Sequence, residues 1–263
     1  MINVALVLET LLAFVIVITL HESAHAAMAA LLGDGMAVGE GRLSVNPARQ
    51  VAPLGLLVAG VLAFAPTYTG IGWGKPVRYD STRLRVGPNV GTILVALAGP
   101  LLNLLVGLAI ALGLRYVPGY VRLNEFTNSA TGRCGLLNYV NSGGQALEHC
   151  LAAAQPAWEL RLEQFAIVLA LTSLVVALVN VLPLYPFDGY KVLFALLPDA
   201  QAVAYRRWEP YMEAIVLAIF FVLPFLLNLL GIGFSPAVAL RDLANLIFGS
   251  LSGGPDFLFA QLL

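Results

Sequence analysis

The chain has 263 residues, 59% of them hydrophobic and only 11% charged, with a mean hydropathy of +0.86. Soluble domains carry about 25% charged residues, so this composition excludes an ordinary water-soluble globule and indicates a polytopic membrane protein. A net charge of -1 with no basic tail or block gives no footing for nucleic-acid binding.

The first segment, residues 4–32, is apolar apart from Glu9, Thr10, Thr19 and a cluster at His21–His25, and is stopped by Gly33, Asp34 and Gly35. It is long enough to cross a hydrocarbon core of about 30 Å. The first basic residue is Arg42, so the segment lacks the basic flank of a cleaved signal peptide and is expected to be retained. Residues 36–50 are mixed, and 51–73 are apolar but broken by Pro53, Gly55, Gly60, Pro66, Gly70 and Gly72. Residues 74–89 are the most charged stretch. Apolar segments follow at 90–114, 162–187, 212–230 and, more weakly, 236–250, the last lying at the interface or spanning. A polar loop, 115–161, holds Cys134, Cys150 and His149. The expected fold is an all-α polytopic membrane protein, one domain of about four to six transmembrane helices. A short re-entrant or β element at 36–73 is expected to follow the first helix, with no appended PDZ or CBS module expected.

The chemistry concentrates at His21-Glu22-Ser23-Ala24-His25, an HExxH pattern. Histidines four apart on a helix project from one face and can hold one Zn²⁺, and Glu22 sits beside them as a general base. A bare HExxH occurs by chance on many helices. Here two of the three histidines fall in it, and it lies in a hydrophobic helix, where ionisable groups are expensive and functional. A catalytic zinc site needs a third protein ligand. His149 reads as a solvated loop residue, and Glu9 is about three turns away along the same helix. Asp188, at the end of another hydrophobic segment, is the best remaining candidate.

These residues resemble the site-2 protease family of intramembrane metalloproteases. Asn180-Val181-Leu182-Pro183-Leu184-Tyr185-Pro186-Phe187-Asp188-Gly189 resembles that family's N-x-x-P-x-x-x-x-D-G motif, and Ala98-Gly99-Pro100-Leu101-Leu102-Asn103 its third motif. Trp73-Gly74-Lys75-Pro76-Val77 and Arg42-Leu43-Ser44-Val45-Asn46-Pro47 resemble the compact bacterial branch without PDZ or CBS domains. The resemblance implies one zinc ion per chain on His21, His25 and Asp188, and Glu22 as base and later proton donor. It also implies Asn180 as a holder of the substrate backbone or oxyanion; the plainer reading of Asn180 is a buried amide bridging helices. Gly99 and Asn103 read as packing positions. That branch leads one to expect a His near 50 and an Asp near 52, where this chain has Gln50 and Ala52. Neither position is a ligand, so the departure concerns local structure.

If His21 and Asp188 share one ion, the first and fourth segments must run in the same direction. The path between them must then cross the bilayer an even number of times. The 90–114 segment is one crossing, so 51–73 is expected to be re-entrant rather than a single span. With that arrangement nine Lys and Arg lie on the catalytic side, from Arg42 to Arg207, against four on the other, Arg115, Arg122, Arg133 and Arg161, with Arg241 unassigned. The positive-inside rule then places the catalytic end toward the cytoplasm and the 115–161 loop outside, in a multi-pass protein of the cell membrane. Cys134 and Cys150 would share an oxidising compartment and form a disulfide. Part of 36–73 is expected to offer an extended edge to substrate. The partners expected are a transmembrane protein substrate and the lipid bilayer, with the oligomeric state open. Two rival readings are a metal-ion transporter, which needs ligands strung across the membrane, and a catalytically silent scaffold that binds membrane helices.

Overall fold

A computed structural model describes residues 4–64, 70–116 and 157–252. His149 and the expected Cys134–Cys150 bridge lie outside these residues, with most of the 115–161 loop. Helix α1 (Val4–Leu31) is 28 residues long, about 42 Å at 1.5 Å per residue, and so overspans the hydrocarbon layer. Its two threonines cost nothing in an apolar setting, because Thr10 and Thr19 donate back to the carbonyls of Leu6 and Val15 at 2.8 and 2.6 Å. It closes in a Schellman turn: Gly33 has φ 111°, its N–H bonds Ala30 O, and Asp34 N–H bonds Ala29 O. Asp34 is buried and ties the next stretch down, accepting from Met36 N and Asp80 N.

Short helices α2 (Met36–Gly39) and α3 (Pro47–Gln50) follow, the second capped by Asn46, then α4 (Pro53–Phe64). At 12 residues α4 is about 18 Å long, too short to span. The expected β element reduces to one isolated antiparallel bridge, Val51 to Gly74, with Lys75 N–H on Gln50 O beside it; no named strand occurs among the described residues. The stretch that leaves at Val51 therefore returns beside its starting point. Gly55 permits this closure, since a Cβ there would lie 2.7 Å from Trp73 N. Further on, Arg85 N–H bonds Leu32 O at 2.8 Å, so the chain approaches the next long helix at the level where it left α1.

Helix α5 (Pro88–Leu114) starts with Pro at its first position and contains Pro100, which cannot donate to the carbonyl one turn back. Among the described residues, helix α6 (Ala157–Asn180) is the most enclosed of the long apolar helices, and its contact with α5 is the most extensive. That contact closes at Gly107, where a Cβ would lie 2.7 Å from Leu174 Cγ. Side-chain pairs give the directions. Glu9 of α1 meets Gln164 and Arg161 of α6 at one end, and His21 meets Asp188 beyond α6 at the other, so α1 and α6 run parallel. Val95 and Asn103 of α5 bond His25 and His21 respectively, so α5 runs antiparallel to both.

The 162–187 segment does not continue as one helix. α6 ends at Asn180, and 181–187 form a compact turn in which Pro183 and Pro186 lack the N–H that a helix needs. Helix α7 (Asp188–Leu196) starts afresh and packs on α5, with Phe187, 1% exposed, anchoring its entry. After α8 (Asp199–Arg206), helix α9 (Glu209–Leu229) carries a π-helical turn at Ala218–Val222, and α10 (Pro236–Ser252) packs on α5 and α6. Among the described residues, four helices are long and apolar enough to cross a membrane: α1, α5, α6 and α9.

Candidate metal centre

Three side chains predicted separately meet at one point. His21 and His25 lie on one face of α1, with ring centroids 4.6 Å apart and edges toward faces. Asp188 is the first residue of α7, where a negative charge is favoured by the helix N-terminus. Its Oδ2 is 2.8 Å from His21 Nε2 and 3.0 Å from His25 Nε2. All three residues are buried, at 2%, 2% and 5% exposure, and their ligand atoms lie within 4.8 Å of one another. No second group of three such residues occurs among the described residues. The transporter reading, which needs a string of ligands, gains no support there.

The chemistry of the donors suits a cation. His25 Nδ1 is 2.6 Å from Val95 O, and a carbonyl only accepts, so Nδ1 carries the hydrogen. His25 Nε2, on the other side of the ring, faces the same Asp188 oxygen as His21 Nε2. Two imidazole nitrogens and a carboxylate oxygen converging on one point form a donor set for a cation. Zinc, bound by imidazole nitrogen and carboxylate oxygen at about 2.0–2.2 Å, fits this donor set.

The surrounding residues were mostly invisible in the sequence. Lys191, one turn into α7, donates to Asp188 Oδ1 at 2.9 Å and leaves Oδ2 to face the histidines. Burial opposes the charge on Lys191, but the Asp188 carboxylate prevails and holds the ammonium above the usual lysine range. Glu22 is buried beside the cluster, with the Arg42 guanidinium 3.7 Å from its Oε2. Arg42 also donates to the carbonyls of Arg49 and Lys75, the two ends of the segment closed by the Val51–Gly74 bridge. Asn103, read from sequence as packing, sits with Nδ2 3.0 Å from His21 Nδ1. Asn180 donates to Val176 O in its own helix at 2.8 Å and does not bridge helices through that bond. Gln50, where the compact branch suggested a histidine, is fully buried and donates to Arg42 O and Ser44 O. Ser44 O also accepts from Ser23 Oγ, so this carbonyl is already occupied rather than offered as a strand edge.

Two glycines set the closest approaches. A Cβ on Gly99 would lie 2.7 Å from both His21 Cε1 and His25 Cε1, and one on Gly74 would lie 2.6 Å from Glu22 Cγ. Their lack of a side chain lets α5 and the 70–75 strand-like stretch close on the cluster.

A sequence model of peptidase family M50 matches residues 9–227. The Bacillus subtilis (strain 168) protein named "Putative zinc metalloprotease YwhC" is 29% identical over 208 residues, which cover 78% of this chain and 76% of that protein. No solved structure matches the chain at a significant level.

Proposed function

The chain belongs to peptidase family M50, the site-2 protease family, and on that premise we propose that it is an intramembrane zinc metalloendopeptidase of the HExxH type. Its substrate is a membrane protein, cut within or beside a transmembrane segment. The observation that carries this reading is the convergence of His21, His25 and Asp188, from helices 160 residues apart in sequence, with Glu22 alongside. In this reading His21 Nε2, His25 Nε2 and Asp188 Oδ2 hold one zinc ion per chain. When bound, the ion supplies Lewis acidity to the scissile carbonyl and acidifies the attacking water toward neutrality.

The remaining work falls to the protein. Glu22 accepts the proton of the attacking water and delivers it to the leaving amine. Arg42, fixed by two carbonyls, steadies the Glu22 carboxylate. Lys191 engages one oxygen of Asp188 and so favours ligation through the other. Asn180, at the last position of α6, holds the substrate backbone or the oxyanion. The catalytic end faces the cytoplasm and the 115–161 loop faces outside, in accordance with the distribution of Lys and Arg. The segment from 51 to 74 enters and leaves on that same face.

Glu22→Gln tests the reading. The variant is expected to retain one zinc per chain and to lose cleavage. Comparative membrane proteomics of cells carrying wild type or Glu22→Gln should then show a membrane protein that accumulates uncut. A Gln variant that still cleaves excludes the mechanism. A transporter would load vesicles with zinc, and a silent scaffold would leave the two proteomes alike.

A further inference from the structure

Building on the zinc reading above, we propose that Asn103 is a positioning residue that sets the tautomer of His21, and that it acts through its side-chain oxygen. Asn103 is 1% exposed in the middle of α5. Three positions of that helix, spaced by four, line the histidines: Val95 gives a carbonyl to His25 Nδ1, Gly99 lets both rings approach, and Asn103 meets His21 Nδ1 at 3.0 Å. α5 thus provides the outer partner of each imidazole. For His25 that partner is a carbonyl, which leaves no choice of tautomer.

For His21 there is a choice, and the amide makes it. With Nδ2 facing the ring, the amide donates to Nδ1, the imidazole hydrogen sits on Nε2, and that hydrogen bonds Asp188 Oδ2 at 2.8 Å. Such a ring cannot ligate through Nε2. In this orientation Asn103 Oδ1 is buried without a partner. Turning the amide by half a rotation puts Oδ1 on Nδ1–H and releases the Nε2 lone pair toward the point shared with His25 and Asp188. The oxygen-facing orientation is therefore the one that accompanies zinc, and the nitrogen-facing one belongs to the direct His21–Asp188 hydrogen bond. The amide converts one state into the other without moving either helix.

The test compares the full-length wild type with Asn103→Asp and Asn103→Leu, purified in detergent. Zinc stoichiometry is measured, and zinc affinity by competition with a chelator of known strength. Aspartate has the shape of asparagine but can only accept, so it is expected to bind zinc within a few-fold of wild type. Leucine, of similar size and without polar atoms, is expected to weaken zinc on the order of 10–100-fold, as loss of an outer partner of a ligating histidine does. If Asp weakens zinc as much as Leu, the nitrogen is the acting atom and the proposal is wrong. If neither changes zinc affinity, Asn103 is packing only, and the proposal is equally wrong. Should the Leu variant fail to fold, ¹⁵N-histidine spectra of the zinc-loaded His149→Gln protein decide the matter. Two Nδ1–H imidazoles support the proposal, and one or none overturns it. A wild type that binds no zinc overturns the metalloprotease reading along with it, whereas a zinc-binding wild type with the wrong variant pattern overturns the Asn103 assignment alone.

Discussion

Gly99→Ala is the smallest change that should dismantle the metal centre. The added methyl would lie 2.7 Å from His21 Cε1 and from His25 Cε1, where ordinary contact starts at 3.4 Å. The rings must retreat by at least about 0.7 Å, the closest atom being the His25 Nε2 ligand nitrogen itself, or α5 must back away by as much, whereas a metal site tolerates about 0.2 Å in its ligand distances. Neither escape is easy. His25 is held by Val95 O on the same helix, and α5 is locked against α6 at Gly107, where Leu174 already fills the space. Two displaced ligands out of three should weaken zinc on the order of 100-fold, about 2.7 kcal/mol. The assay is chelator competition on detergent-purified protein, with zinc stoichiometry after dialysis and circular dichroism to show that the helices persist. A Gly99→Ala protein that is folded and binds zinc as tightly as wild type would refute the reasoning, because it would mean that α1 and α5 are not held at the spacing described.

Gly74→Ala provides a contrast, since its methyl would lie 2.6 Å from Glu22 Cγ while the Val51–Gly74 bridge resists a backbone shift. It should keep zinc and lose turnover on the order of 100-fold, the scale of a misplaced catalytic group; loss of zinc in step with activity would count against separate roles for the two glycines. For sidedness, a reporter fused near Gly135 should read extracytoplasmic, and a cytoplasmic signal would reverse the assigned topology.

The membrane class and HExxH are legible along the chain, because each rests on composition or on a local spacing that the helix converts directly into geometry, whereas Asp188 was reachable only by elimination and through the motif it resembles. The parallel course of α1 and α6 could also be anticipated, since two ligands of one ion must lie at the same depth. The interruption at Asn180 was less legible. A hydrophobic run reads as one helix up to Asp188, yet Pro183 and Pro186 break it, and the break is what turns the carboxylate back toward α1.

Residues whose role depends on a partner far along the chain could not be read. Asn103 is 82 positions from His21, and nothing in Gly99-Pro100-Leu101-Leu102-Asn103 says which atom of the amide faces which ring. Arg42 entered the sequence reading only as a motif residue and as one of the cations on the catalytic side, yet it is buried and joins Arg49 O, Lys75 O and the neighbourhood of Glu22. Gln50 departed from the expected residue type, and only the structure shows that it ties the carbonyls of Arg42 and Ser44 together. By itself the sequence nominated the proposed donor set: His21 and His25 with Glu22 through residue type and local spacing, and Asp188 by elimination and through the motif it resembles. Only the tertiary structure decided what surrounds those side chains, since Val95 O, the bare face of Gly99 and the Asn103 amide reach His25 and His21 through packing between helices rather than through adjacency in the chain.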